Sequence, residues 1–133
     1  MAKAAKQIVV VVITPEQQVL EETADEVVIP VHDGELGVLN LRAPLMCELG
    51  IGQLRYTQAG QLHRMFIDGG FAQVLDNRVT VLSSRALPAE QITAEVVSAA
   101  ERAIGEHRGT EADTRLAYER AQRRLSVLRS LKQ

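Results

Sequence analysis

Hydrophobic and polar positions change their spacing once along the chain, close to Pro88. Before this point apolar residues form short runs, such as 8–13, or alternate with polar residues, which is typical of β-strands. After it they recur every three or four residues, which is typical of amphipathic helices. The change predicts an α+β fold with a β domain over residues 1–86 and an α-helical region over residues 87–133.

The β region contains short segments that are rich in β-branched residues and bounded by turn residues. These segments are 7–14, 19–22, 26–31, 36–39, 47–58, 61–67, 71–75 and 78–82. Gly50 and Gly52 predict a bulge or a close backbone approach within one strand. Asp76-Asn77 is a candidate hairpin turn. The spacing predicts an N-terminal antiparallel β-sandwich of about ten short strands.

The α region predicts a hairpin of two helices. Pro88 and Glu90 suit the start of the first helix. Its apolar stripe consists of Ile92, Val96, Ala99, Ala100, Ala103 and Ile104. After a break at 105–109, a second helix is predicted from 110–114 to about Leu131. Its stripe consists of Leu116 or Ala117, Ala121, Leu125 and Leu128. Because the first stripe is mostly alanine and valine, it buries little area, and we expect the hairpin to be released easily.

Composition narrows the function classes. The chain has 133 residues, 46% of them hydrophobic, a net charge of −2 and a single cysteine. One core with an appendage fits this length, and the charge balance argues against nucleic acid as a partner. Only 3% of the residues are aromatic, too few for a base-stacking surface. The apolar run 8–13 is too short for a membrane span or a signal peptide, so we expect a cytosolic protein.

The usual sequence signals of catalysis and cofactor binding do not occur. There is no Walker-type phosphate loop, and Gly50-Ile51-Gly52 lacks the rest of a dinucleotide fingerprint. The histidines His32, His63 and His107 lie in different predicted elements, so no metal site is expected. A hydrolytic site assembled from His32, Asp33 and Ser83 or Ser84 is conceivable, but turn chemistry explains these residues adequately. We predict no catalytic residues and no cofactor.

Two glycine signatures carry the most information. Gly34-Glu35-Leu36-Gly37 is followed by Ala43-Pro44-Leu45, and Asp68-Gly69-Gly70-Phe71 is followed by Val79-Thr80-Val81-Leu82. Alone, each motif is only a turn that enters a strand. In this order and spacing they resemble the epsilon subunit of the F-type ATP synthase, and the resemblance covers almost the whole chain.

The resemblance implies a non-catalytic rotor subunit of the central stalk, which couples ion-driven rotation of the c-subunit ring to ATP synthesis. It implies the gamma subunit and the c-ring as partners, at the cytoplasmic face of the bacterial plasma membrane. The ring-contact residues that it implies are Glu35, Leu36, Gly37, Arg42, Ala43 and Pro44. Glu35 would pair with polar loops of the ring. The family usually has Pro-Gly-His before Ala-Pro-Leu, whereas this chain has Asn40-Leu41-Arg42, so we expect a specific acidic or carbonyl partner for Arg42.

The hairpin resembles the regulatory element of the same family, which restrains ATP hydrolysis. The resemblance implies contacts with the catalytic alpha and beta subunits through Arg115, Arg120, Arg123 and Arg124. An alternative is a solvated helix face with pairs such as Glu119 with Arg123. The acidic residues of the first helix, Glu90, Glu95, Glu101 and Glu106, also allow pairing within the hairpin.

Some members of the family bind ATP through an Ile/Leu-Asp-x-x-Arg-Ala motif on the first helix. Here Ile92 is retained, but Thr93 and Val96 occupy the aspartate and arginine positions. Arg120 and Arg124 match the assisting arginines of the second helix. We therefore predict weak or absent ATP binding. The broken motif also argues against the alternative function, a free-standing nucleotide-sensing or adaptor module.

Overall fold

The computed structural model describes residues 7–106 and 112–132. Its elements are β1 (Ile8–Ile13), β2 (Gln18–Ala24), β3 (Glu26–Val31), β4 (Gly34–Val38), β5 (Leu45–Gln58), β6 (Gln61–Leu75), β7 (Arg78–Leu82), β8 (Ala86–Pro88), α1 (Ala94–Glu106) and α2 (Ala112–Leu131). The predicted β-sandwich with a two-helix hairpin is confirmed. The described residues form eight strands rather than about ten.

One reason for the lower strand count is that β6 is continuous. The sequence predicted separate strands on either side of Gly69-Gly70, and both glycines have positive φ, 68° and 111°. The glycines bend β6 without ending it, because β5 pairs with β6 on both sides of the bend. Ile51 lies opposite Asp68 and Leu49 opposite Gly70.

The strands follow the order β2-β1-β7-β6-β5-β3-β4, with β8 paired to β6. Neighbouring strands are antiparallel except β1 and β7, which are parallel. β6 pairs with β8 along Met65–Ile67 and with β7 along Phe71–Leu75, so the bend separates two pairing partners on one edge of the strand. This arrangement folds the sheet over a single sandwich core.

Two separate apolar clusters hold the structure together. The sandwich core contains side chains from every strand from β1 to β8, among them the fully buried Ile8, Val10, Ile29, Leu54 and Ile67. The second cluster, the hairpin cluster, consists of Ile51, Phe66, Ile92, Val97, Leu125, Leu128 and Leu131. Ile51 and Phe66 belong to β5 and β6, so the hairpin packs against the outer face of these two strands.

The predicted start of the first helix is wrong. Pro88 ends β8, a short 3-10 turn follows at Ala89–Gln91, and α1 begins at Ala94. Proline is tolerated here because β8 is short and pairs with β6 alone. Thr93 caps α1 by accepting a hydrogen bond from the Val96 N–H at 3.3 Å. The last strand therefore crosses the predicted domain boundary at residue 86.

The apolar stripes are partly corrected. On α1, Val97 is buried and Ala99 is exposed, so Val97 joins the packed stripe and Ala99 leaves it. On α2, Ala117 is half-buried and Leu116 is 48% exposed, so alanine is the member of that pair on the packed face. Gly105 lies within α1. Glu106 is the last residue of α1, and the remainder of the predicted break, 107–109 with His107, lies outside the described residues.

Candidate partner-binding surfaces

The loop of residues 39–44 is fastened to the turn between β6 and β7. Leu41 donates its N–H to Asn77 Oδ1 at 2.7 Å, and Asn77 Nδ2 donates to Asn40 Oδ1 at 2.5 Å. Asp76 and Asn77 have φ values of 51° and 59°, as the predicted two-residue hairpin turn requires. These bonds join two loops that are distant in sequence, and together the loops form one end of the sandwich.

This end presents apolar side chains next to a cation. Leu41 is 74% exposed and Leu39 59% exposed, and Arg42, Ala43 and Pro44 are also exposed. Within residues 7–106 and 112–132, Arg42 forms no ion pair. Exposed leucines held on a fixed loop are typical of a protein-binding surface. We call this end, residues 39–44 with 76–77, the loop end.

Glu35, Leu36 and Gly37 lie on β4, an edge strand that leads into the loop end. Leu36 is half-buried against the sandwich core, and Gly37 is exposed. The Glu35 carboxylate accepts two hydrogen bonds from the Arg55 guanidinium, at 2.5 and 3.0 Å. Glu35 therefore has an ionic partner within its own chain.

The Glu35–Arg55 pair predicts a pH dependence of stability. The Arg55 hydrogen bonds lower the pKa of Glu35. A lowered folded-state pKa stabilises the protein above the ordinary glutamate pKa, and this contribution is lost as pH falls through the lowered value. Because Glu35 is 47% exposed, we expect at most about 1 kcal/mol. Urea unfolding at several acidic pH values should show this loss in the wild type and a smaller loss in Glu35→Gln. If the stability of the wild type and of Glu35→Gln depended equally on pH, the Glu35–Arg55 pair would not be the source of this loss.

An apolar surface that the sequence analysis missed covers the outer side of β5, β6 and β7. It consists of Met46, Phe71, Leu75 and Leu82, which are 68%, 55%, 42% and 52% exposed. Phe71 and Leu82 lie directly opposite each other across β6 and β7. The sequence contained a signal for this surface: strands β5, β6 and β7 have apolar residues at their outward positions as well as at their inward ones. We call this surface the β6–β7 face.

The arginines of α2 lie in two different situations. Arg115 and Arg120 are exposed. Arg123 Nε donates to the Ile51 carbonyl oxygen at 2.8 Å, and Arg124 Nε donates to Asp68 Oδ2, also at 2.8 Å. Two of the four arginines implicated in partner contact are therefore bonded to the sandwich in this docked conformation.

Among the described residues, one ion pair joins the two helices of the hairpin. Arg129 of α2 lies 3.5 Å from the Glu101 carboxylate of α1, as the acidic character of the first helix allowed. The predicted pair of Glu119 with Arg123 is not among the ion pairs of the described residues. Arg123 is instead directed to the Ile51 carbonyl.

A cleft of about 440 Å³ separates α2 from the bends of the sandwich. It is lined by Arg120, His32 and Ser84, among other residues. The structure thus brings His32 and Ser84 of the conceivable hydrolytic site to one cleft, but both candidate serine hydroxyls are engaged with backbone carbonyls. Ser84 Oγ donates to the Asp68 carbonyl at 2.9 Å, and Ser83 Oγ donates to the Arg85 carbonyl at 2.9 Å. Both hydroxyls therefore hold backbone in place.

The residues of the broken nucleotide motif have structural roles. Ile92 is buried in the hairpin cluster, Thr93 caps α1, and Val96 packs against the same cluster. Arg124 is paired with Asp68, while Arg120 lines the cleft. Thr93 and Val96 occupy the aspartate and arginine positions of the nucleotide motif. In this chain, Thr93 caps α1 and Val96 packs against the hairpin cluster.

The described residues contain neither a cluster of metal-ligating side chains nor a membrane-spanning helix. Across the part of the chain that the structure describes, no three His, Cys, Asp or Glu side chains come close enough to hold a metal ion. No helix in those ranges combines the length and the apolar character needed to cross a bilayer.

A β-sandwich with a docked helical hairpin and two exposed apolar surfaces has the features of a small subunit that binds other proteins. Residues 7–89 match the family model for the β-sandwich domain of the ATP synthase delta/epsilon chain. The matched region is more than half of the chain, and the chain belongs to this family.

Curated relatives support the assignment. An ATP synthase epsilon chain of Rhodopirellula baltica is 50% identical over 80 residues, which are 60% of this chain and 62% of the relative. One from Desulforamulus reducens is 38% identical over 109 residues, which are 80% and 83% of the two chains. With the first of these and several others, the match spans about three fifths of the relative's length.

Solved structures extend the likeness to the hairpin. A chain in the mitochondrial ATP synthase of Euglena gracilis, solved as an assembly of OSCP, F1 and c-ring, matches with a TM-score of 0.78 and 26% identity, covering 98% of this chain and 83% of that one. A chain from the central stalk and c-ring of the Tetrahymena thermophila enzyme matches with a TM-score of 0.71, covering 98% and 100%. At 13% identity the second likeness concerns the fold alone.

Proposed function

We propose that this chain is a non-catalytic subunit of the central stalk of an F-type ATP synthase, where it couples rotation of the c-ring to the gamma subunit. The single observation that carries the proposal is the match of residues 7–89 to the delta/epsilon chain family. The two exposed surfaces of the sandwich give the role a physical basis, because a coupling subunit needs separate contacts with the shaft and with the ring.

We assign the β6–β7 face to the gamma subunit. Its four large apolar side chains lie on regular strands, which offer the flat and rigid surface that a permanent interface requires. We assign the loop end, with Glu35, Leu36 and Gly37 on the adjoining strand, to the c-ring. The subunit would then lie at the cytoplasmic face of a bacterial membrane and attach to it only through these partners. The curated relatives are bacterial.

The gamma contact predicts that Phe71→Asp abolishes co-purification. A carboxylate at the centre of an apolar interface would be desolvated without a partner, and this lowers affinity by several kcal/mol. The matched control is Leu62→Asp, since Leu62 is 57% exposed and also lies on β6, but outside this face. Affinity purification of tagged gamma from cells that express each variant provides the measurement. Retention of Phe71→Asp at the level of the control would refute this surface.

The ring contact predicts a loss of binding in Arg42→Ala. Arg42 is exposed beside Leu41, and a guanidinium at this position offers several donors to a carboxylate or a carbonyl. Removing one such charged contact should weaken binding to the isolated c-ring about tenfold, measured by sedimentation with detergent-solubilised rings. Arg102→Ala, which removes an exposed arginine on α1 outside both named surfaces, is the control. Binding unchanged in Arg42→Ala would remove Arg42 from the contact.

We further propose that the hairpin is a movable element whose released form restrains ATP hydrolysis through the alpha and beta subunits. The hairpin cluster and the sandwich core share no residue, which supports release of the helices from an intact sandwich. The arginines Arg115, Arg120, Arg123 and Arg124 would then meet acidic side chains of the catalytic subunits. Hydrolysis by the assembled complex with an undocked hairpin tests this role.

A further inference from the structure

Asp68 of the sandwich forms an ion pair with Arg124 of the hairpin. Its carboxylate lies 2.8 Å from Arg124 Nε, and its side chain is only 12% exposed. A carboxylate shielded to this extent needs a hydrogen-bonding or ionic partner to remain charged without a large penalty. The docked helix supplies that partner across 56 residues of sequence.

The backbone of Asp68 is held in place by the segment that follows β7. The Asp68 N–H donates to the Arg85 carbonyl at 3.0 Å and is also 3.2 Å from Ser83 Oγ. The Asp68 carbonyl accepts a hydrogen bond from Ser84 Oγ at 2.9 Å. Because none of these bonds involves the hairpin, the backbone that carries the carboxylate is held independently of docking.

A second bond lies directly beside the first. Ile51 and Asp68 face each other across β5 and β6, and they bind the consecutive arginines Arg123 and Arg124. Two neighbouring residues of α2 are therefore tied to two facing residues of the sheet. We call these four residues the latch.

We propose that Asp68 is an internal competitor for the arginine surface of α2. When the hairpin is docked, Asp68 occupies Arg124, and when it is released, the freed guanidiniums of Arg123 and Arg124 bind the carboxylates of an acidic partner segment. The Nη donors of Arg124 stay available, but the docked helix holds the guanidinium against Asp68 of β6, so the helix must leave the sandwich before the Nε–H bond passes to a partner carboxylate. The identity of the partner rests on the proposed function, whereas the latch belongs to this chain alone.

The latch is tested by hydrogen exchange on the full chain. Asp68→Asn keeps the size of the side chain and the backbone bonds but removes the charge. We expect the amides of residues 115–131 to exchange about fivefold faster, a modest factor because the ion pair is partly exposed, while β1 and β7 are unchanged. Arg124→Gln should give the same result, and the double variant should add nothing to either single change.

The matched control is Arg120→Gln on the same helix. Arg120 lines the neighbouring cleft and, within the described residues, forms neither a side-chain hydrogen bond nor an ion pair. Its substitution should leave exchange of α2 unchanged. If Asp68→Asn and Arg124→Gln both exchange as slowly as this control, the latch is refuted. One variant changes β6 and the other changes α2. If one of them fails to fold, the other still tests the latch.

Competition is tested with a heptaglutamate peptide as the probe. At low salt, Asp68→Asn should bind the peptide about fivefold more tightly than the wild type, and Arg124→Gln should bind it more weakly. Equal peptide affinity in the wild type and Asp68→Asn would overturn the competition. In the assembled complex, Asp68→Asn should lower ATP hydrolysis. If exchange and peptide binding change but hydrolysis does not, the latch stands and the proposed braking function fails.

Discussion

Gly70→Ala is expected to lower the free energy of unfolding by about 3 kcal/mol or more, because strain and overlap act at the same position. Gly70 has a φ of 111°, which side-chain-bearing residues rarely adopt. A Cβ at this position would lie 1.9 Å from the Leu82 carbonyl oxygen. Leu82 is held by its pairing with Phe71, so the obstructing atom is backbone and has little freedom to move.

Gly37→Ala is the control for this substitution. A Cβ on Gly37 meets nothing within 4 Å, and the residue lies on the exposed edge strand β4. We expect its effect to stay within about 0.5 kcal/mol. Urea denaturation of the two variants and the wild type, followed by circular dichroism, gives the comparison. If both glycine variants unfold at the same urea concentration, the close approach of β6 and β7 is not as described.

Leu128→Asp is expected to detach the hairpin while the sandwich stays folded. Leu128 has no exposed surface, and a carboxylate in the hairpin cluster would be buried without a partner, at a cost of several kcal/mol. Amide exchange in α2 should therefore accelerate about a hundredfold or more. Exchange in β1 and β7 should stay close to wild type, because the sandwich core contains none of the residues of the hairpin cluster.

Ser126→Asp introduces the same charge at an exposed position two residues earlier, and it should leave the hairpin docked. In the assembled complex, Leu128→Asp should slow ATP hydrolysis, while the control should not. Loss of protection throughout the sandwich would show that the two clusters fold as one unit. Wild-type protection of α2 in Leu128→Asp would show that Leu128 does not hold the hairpin.

Docking of the hairpin has a different origin from the one that the sequence analysis considered. The expectation of easy release was based on the alanine-rich first helix. In the structure, the second helix contributes Leu125, Leu128 and Leu131 to the hairpin cluster, together with the two latch arginines. How readily the hairpin is released stays a prediction, and the Leu128 and Asp68 variants address it.

Several elements were predictable because their causes are local. Short β-branched segments bounded by turn residues predicted β3 and β7 at their observed bounds, and Asp76-Asn77 predicted the hairpin turn that follows β6. The start of α1 was misplaced because Pro88 suits a short strand as well as a first helical turn, and only pairing with Met65 distinguishes them. The glycine signatures identified the family from the order of the motifs.

The fold class and the main strands followed from residues that interact with near neighbours, since backbone preference and the period of apolar positions are local properties. The partner-binding surfaces and the contacts of the hairpin could be identified only in the assembled sheet. Arg55 meets Glu35 across 20 residues, and Arg123 meets Ile51 across 72. Such pairs depend on strand register and on the place where the hairpin docks, which no local pattern encodes. The sequence implicated four arginines of α2 in contact with a partner protein. Only the docked position of the helix shows that two of them, Arg123 and Arg124, bond to the sandwich.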